Sequence, residues 1–189
     1  MSVKQKWEET GVIFFVTFTC FKWLPLFEKV DLYDNIYNWF GIINEKGVRL
    51  CGFVILPNHI HLLLYLPTKS DQLHKIISNG KRFFAYEIVK RLRNRGDFST
   101  LKVLQNGVRV NEGNKGKIHQ VFEHSFDAKL CITEEVILQK LNYIHANPVS
   151  KKWNLAKNFL EYPHSSAMYY EEGLEHKDCM ITHYKDSYE

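Results

Sequence analysis

The run Pro57-Asn58-His59-Ile60-His61-Leu62-Leu63-Leu64 sets two histidines one residue apart at the head of an apolar stretch. Side chains alternate faces along a strand, so His59 and His61 point the same way, roughly 7 Å apart at two residues of rise. Two imidazoles on one face make half of a site for a divalent ion and need further donors to complete it. In the helical pattern over residues 133–147, Gln139, Tyr143 and Asn147 recur four apart on a polar face, away from the apolar stripe of Ile137, Leu141 and Ile144. A phenol with a carboxamide one turn away would stand near the histidine pair if that helix crosses the strand beginnings.

The elements that must position these groups follow from patterning. Val12–Thr19 is rich in β-branched and aromatic residues and reads as a buried strand. Residues 48–56 and 59–66 read as an antiparallel hairpin turning at Pro57-Asn58, so the histidines begin a central strand. Between them, residues 30–46 carry Ile36, Trp39, Phe40 and Ile43 at helical spacing, with Gly47 as a stop. Residues 70–95 predict a long basic amphipathic helix with Leu73, Ile76, Ile77, Phe84, Ile88 and Leu92 for the core and Gly80 as a candidate bend. Residues 101–110 and 117–122, separated by Asn111-Glu112-Gly113-Asn114-Lys115-Gly116, read as a second hairpin. Thr133 with Glu134 and Glu135 starts the last helix, and Pro148 ends it near Asn147. The order predicts an α+β fold, a split βαβ arrangement of helices on an antiparallel sheet.

Composition bounds the function. A chain of 189 residues with 45% hydrophobic residues fits one domain, with 150–189 as a C-terminal extension to which no element is assigned. A net charge of +4 permits a polyanionic partner without requiring one. The basic residues concentrate: Lys69, Lys75, Lys81, Arg82, Lys90, Arg91, Arg93 and Arg95 face only Asp71 and Glu87 across that segment. Lys81, Arg82, Arg91 and Arg93 are candidate phosphate contacts, although a solvated helix face accounts for the charge equally well. Phe83, Phe84 and Tyr86 could stack on bases, with the core as the better-favoured place for them. Cys20, Cys51, Cys131 and Cys179 lack C-x-x-C spacing and read as reduced thiols. With no signal-peptide pattern and no apolar run near the ~20 residues of a membrane span, a soluble cytoplasmic protein is expected, with no membrane partner.

Together these residues resemble the single-tyrosine HUH transposases, and most closely the REP-associated tyrosine transposases. Leu56-Pro57-Asn58-His59-Ile60-His61-Leu62-Leu63 is similar to the family's histidine, hydrophobic, histidine motif, and Tyr143-Ile144-His145-Ala146-Asn147-Pro148-Val149 to its tyrosine helix. Phe15-Val16-Thr17-Phe18, Lys81-Arg82-Phe83 and Pro163-His164-Ser165-Ser166 extend the likeness over most of the chain, while 104–120 and the segment after Val149 depart from it. The resemblance implies the ferredoxin-like HUH endonuclease fold. It implies a DNA transposase that cuts and rejoins single-stranded, hairpin-containing DNA through a 5′-phosphotyrosine on Tyr143. It also implies Mg2+ or Mn2+ held by His59, His61 and Asn147. A phenol with reference pKa ~10 needs the field of a metal-bound phosphate or a base to act as that nucleophile. Two imidazoles alone would also accept Zn2+ or Ni2+. Such proteins work as dimers or monomers.

Each feature also has a plain structural reading. Paired strand histidines are often polar-face residues, a helix tyrosine is usually a core-edge group, and Asn147 before Pro148 could cap a helix. His145 points away from Tyr143 and reads as packing or DNA contact, and His119, His124 and His164 are irregularly spaced for a metal. The rival functions are a non-catalytic nucleic-acid-binding module, which would display exposed sheet aromatics, and an HUH replication initiator or relaxase.

Overall fold

A computed structural model describes residues 11–67 and 71–188 of the chain. Lys69 and Ser70, the expected start of the basic helix, lie outside the described residues. Strands β1 (Val12–Thr19), β2 (Arg49–Leu56), β3 (His59–Leu66) and β4 (Asp127–Cys131) form one sheet in the order β2-β3-β1-β4. Every neighbouring pair is antiparallel. This is the split βαβ topology: each crossover skips one strand, so β1 and β3 end up central. Thr19 pairs with His59 and Thr17 with both His61 and Asp127, which lines these residues up across three strands.

Strand alternation divides the core. The even-numbered residues Val16, Phe18, Ile60, Leu62 and Leu64 face α1 (Leu26–Val30), α2 (Tyr33–Glu45), α3 (Asp71–Asn94) and α4 (Phe98–Asn106), packing with Phe27, Trp39, Phe40, Phe84 and Ile88. The odd-numbered Ile13, Phe15, Leu63 and Tyr65 face α6 (Glu134–Ala146) and pack with Ile137, Leu141 and Ile144. Each large apolar side chain so buried contributes about 1.5–3 kcal/mol. Because His59 and His61 are odd-numbered on β3, they share a face with α6.

Local chemistry explains the element ends. Helix α2 closes on Gly47 at φ +81, with the Val48 amide donating 3.1 Å to the Ile43 carbonyl. It begins later than the pattern suggests, because Asp31 turns left-handed at φ 52 and sets off the short helix α1. Gly80 does not interrupt α3; a Cβ there would come 2.7 Å from the Trp39 ring, so the glycine permits close helix packing. The second expected hairpin is absent. Residues 98–106 form α4 because the Asp97 carboxylate caps the Thr100 amide at 3.0 Å and Leu101 and Leu104 turn one helical face into the core. A short helix α5 (Val110–Gly113) follows. Residues 117–122 make only an isolated bridge, Cys20 to Phe122. Cys20, Cys51 and Cys131 are buried free thiols, and Cys179 is half-buried. Among the described residues no helix is long and apolar enough to cross a membrane.

Residues 150–188 run back along β2. The Ile55 amide donates to His164, the Ser166 amide to Phe53 and the Thr182 amide to Leu50, covering the sheet edge before and after α7 (Ala167–Glu172). On the inner side of the same strand, β2 carries a bulge between Leu50 and Gly52, and a Cβ on Gly52 would lie 2.6 Å from Leu141 Cδ2 of α6.

Two tests follow. A Gly52→Val protein should lose about 1–3 kcal/mol of stability by overpacking the α6 contact, read as a lower midpoint in urea unfolding. His164 stacks on Tyr33 at 3.6 Å and accepts the Tyr37 hydroxyl at Nδ1, 2.9 Å away, and burial, with His176 nearby, lowers its pKa from 6.5 to about 4. The unfolded chain therefore binds this proton first, and stability should fall as pH drops from about 6.5 towards 4. In His164→Gln the slope of melting temperature against pH should flatten over that window.

Candidate active site

One cleft of about 680 Å³ gathers the sequence-predicted centre: His59, His61, Tyr143 and Asn147 all line it. The Nε2 atoms of His59 and His61 are 3.1 Å apart, although the rings sit on successive same-face positions of a strand. The Tyr143 ring meets His61 edge-on at 5.1 Å between centroids, and Phe15 stacks on His61 at 5.5 Å and meets Tyr143 edge-on at 5.9 Å. Both histidines are buried, whereas Tyr143 is 50% exposed to the cleft. Neither the Tyr143 hydroxyl nor the Asn147 carboxamide makes a hydrogen bond among the described residues.

The ring nitrogens are oriented from behind. Asn58 Nδ2 donates to the Trp23 carbonyl at 2.8 Å, which leaves its Oδ1 to accept the Nδ1 proton of His59 at 2.7 Å. His59 Nε2 therefore carries a bare lone pair. Across the 3.1 Å contact His61 Nε2 must donate, so His61 Nδ1 accepts the Thr17 hydroxyl at 2.7 Å. Burial lowers the pKa of His59 to about 4, assisted by Lys152, and that of His61 to about 3, assisted by His59 and Lys140. At neutral pH both are neutral donors.

Among the described residues no group of three His, Cys, Asp or Glu side chains could hold a metal ion. Two neutral imidazoles form a different donor set whose spacing fits a divalent ion, and the Asn147 amide lines the same cleft. Nitrogens about 2.1 Å from one ion lie about 3 Å apart at an octahedral angle and about 3.4 Å at a tetrahedral one, close to what the pair already adopts. Asn147 closes α6 and opens the Asn147–Val149 turn, buried with its carboxamide free.

The predicted phosphate contacts lie elsewhere. Lys81, Arg82 and Arg93 line a second cleft of about 690 Å³ along α3, with Lys90, Lys115 and Lys117. Lys81 also donates to the carbonyls of Glu123 (2.8 Å) and Ser125 (3.2 Å). Arg91 does not join that cleft. It bonds Asp34 (2.8 Å), Glu87 (2.9 Å) and the Asp31 carbonyl, tying α3 to the turn between α1 and α2. Phe84 is in the core as favoured, but Phe83 and Tyr86 are exposed, against the preference for burial. His145 is buried and bonds Ser166 Oγ at 2.9 Å, a packing role.

The cleft also holds residues that motif reading did not single out: Trp23, Asp127, Lys129, Lys140, Lys152 and Trp153. Lys140, three residues before Tyr143, was accessible to the same helical spacing rule. Thr17 follows from alternation along β1. Trp23, Lys152 and Trp153 reach the cleft from loops, for which the sequence carries no periodic signal.

No family model and no curated protein matches the chain. In fold the chain is similar to a tyrosine transposase of known structure. It superposes on the solved structure of a REP-associated tyrosine transposase bound to a REP hairpin with a TM-score of 0.60 at 16% identity, covering 94% of this chain and 91% of that one. A protein from Deinococcus radiodurans described as a transposase matches at a TM-score of 0.40 and 18% identity over 71% of this chain and 88% of that one. At that score the second likeness carries no argument.

Proposed function

We propose that the chain is a metal-dependent tyrosine DNA endonuclease and strand transferase of the transposase type, acting on single-stranded DNA that carries a hairpin. The observation that carries this reading is an exposed, unbonded Tyr143 phenol packed against a pair of neutral, pre-oriented histidines in one cleft. In the reaction the Tyr143 oxygen attacks a backbone phosphorus, a P–O bond to the phenol forms, the P–O3′ bond breaks, and the phenolic proton is balanced by protonation of the departing 3′ oxygen. The phosphodiester becomes a 5′-phosphotyrosine, so its bond energy is kept and a 3′ hydroxyl can reverse the step without ATP.

His59 Nε2, His61 Nε2 and the Asn147 carboxamide oxygen would hold Mg2+ or Mn2+. Bound there, the ion would supply Lewis-acid polarisation of the phosphate. Lys140 and Lys152, close enough to depress the histidine pKa values, would draw the phosphate in and offset its charge. Phe15, stacked on His61, keeps one side of that ring dry. A single chain supplies every one of these groups. Lys81, Arg82 and Arg93 in the second cleft are proposed to hold more distant DNA phosphates, and Arg91 is the weakest of the four for that role because its guanidinium is already paired. The alternative to catalysis, a binding module using exposed sheet aromatics, has little to draw on: Phe15, Phe18, Phe53 and Tyr65 on the strands are buried.

Ligation through both Nε2 atoms requires His61 to move its proton to Nδ1, where Thr17 Oγ1 would become the acceptor. Thr17→Val removes that acceptor, so Mn2+ affinity measured by calorimetry should fall about 10–100-fold with the fold intact by circular dichroism. Undiminished affinity would exclude Thr17 as the group that orients His61. The activity itself is tested by incubating hairpin-bearing single-stranded oligonucleotides with the protein and Mg2+ or Mn2+. The wild type should form a covalent protein–DNA adduct, and Tyr143→Phe should form none; an adduct that survives in Tyr143→Phe would overturn the assignment of the nucleophile.

A further inference from the structure

Beside the histidine pair stand two tryptophans that the proposed chemistry does not use. Trp23 and Trp153 flank His59 with ring centroids 5.5 Å and 5.3 Å from it. The Lys152 ammonium lies against both, 4.4 Å from the Trp23 ring centre and 5.3 Å from that of Trp153. Trp23 is 52% exposed on the cleft wall, so core packing does not account for it. Its backbone is unusual as well. Lys22 (φ 53) and Trp23 (φ 58) are successive non-glycine residues in the left-handed region, a conformation that persists only where the surroundings impose it.

Three hydrogen bonds impose it here. The Lys22 amide donates to Glu123 Oε1 at 2.8 Å, the Trp23 amide to the Cys20 carbonyl at 3.0 Å, and Asn58 Nδ2 to the Trp23 carbonyl at 2.8 Å. The amide that orients His59 thus also fixes the indole next to it. An ammonium drawn against two indoles marks a place suited to a cation or to a flat aromatic ring. Lys129, Lys140 and Lys152 against the single carboxylate of Asp127 leave the cleft wall net positive, which favours a flat ring attached to an anion over an organic cation. An unpaired base on a phosphodiester chain is such a group.

We propose that Trp23, Trp153 and Lys152 form a stacking subsite for one unpaired nucleobase of a DNA strand whose neighbouring phosphate lies at the His59–His61 pair. Lys152 moves from the indoles to a backbone phosphate as the base enters. The proposal rests on the DNA-processing reading of this same cleft. Stacking tolerates every base, so the subsite holds the strand in place rather than reading its sequence.

The test compares binding of a short oligothymidylate with that of an abasic chain of equal length, by fluorescence anisotropy in the presence of a metal chelator. The two probes share their phosphates and differ only in bases. The wild type should prefer oligothymidylate by about tenfold or more. Trp23→Ala and Trp153→Ala should each shrink that preference severalfold, chiefly by weakening oligothymidylate binding, and Trp153→Phe should restore most of it. Lys152→Ala should instead lower the salt dependence for both probes by about one ion. A preference undiminished in the alanine variants, or an equal loss for both probes, overturns the subsite. Should Trp23→Ala disturb folding, seen as a lowered melting temperature, Trp153→Ala and its phenylalanine rescue decide alone. Because this measurement needs no cleavage, a missing Tyr143 adduct would sink the strand-transfer reading separately from the stacking ratio.

Discussion

The close seating of α6 on the inner face of the sheet governs the geometry of the cleft. Gly52 has no side chain to hold Leu141 away, and the bulge beside it lets β2 bend under the helix. From Leu141 it is two residues to Tyr143, so a shift of the helix at one is a shift of the phenol at the other. One turn on from Leu141, His145 bonds Ser166, whose hydroxyl also accepts from the Phe53 amide at 3.0 Å. The helix is therefore located by an apolar contact and, one turn on along the same side, by a buried polar link. Displacement of about 1 Å in a reacting group is enough to cost large factors in rate, which is why such redundancy matters.

The electrostatics of the cleft push in one direction. Burial disfavours the charged form of both histidines, and Lys140 and Lys152 disfavour it further. The histidines stay neutral with lone pairs for a cation, while the lysines at the rim attract an anion. A site built for a phosphate and a metal together needs this division, since protonated histidines would bind the phosphate and expel the metal. The groups behind the rings complete it: Asn58 fixes the His59 proton in place, whereas the Thr17 hydroxyl can either donate or accept and so tolerates either His61 tautomer.

Much of this was legible in the sequence because it rests on short-range periodicity. Alternation in Val12–Thr19 and His59–Leu66 put His59 and His61 on one face, and spacing by four put Tyr143 and Asn147 on one side of a helix. The second hairpin was misread because apolar residues in 101–110 fit a strand as well as a helix; the deciding feature is a single carboxylate, Asp97, capping from outside the run. Charge was misleading in another way. Arg91 belongs to the same basic segment as Arg93, but tertiary contacts with Asp34 and Glu87 commit it to the fold, and no local pattern distinguishes the two. Trp23 and Trp153 were illegible for a stronger reason: one depends on a left-handed backbone, the other on where a loop after Val149 happens to return.

The site residues divide by the kind of element that carries them. The histidines sit on a central strand, Thr17 on its neighbour, and Tyr143 on a helix pinned at two successive turns, so the groups proposed to make and break bonds stand on rigid scaffold. Trp23, Lys152 and Trp153, the groups proposed to grip the strand, stand on connecting segments outside the sheet and α6, with Trp23 held in place by hydrogen bonds of its own. Precision matters most where a nucleophile must meet a phosphorus in line, and that is where the rigid elements stand. At 16% identity the chain keeps the fold of a hairpin-bound transposase. On the proposed function, how firmly an unpaired strand is held would be set by the loops around Trp23 and Trp153, while the bond-making geometry stays with β3 and α6.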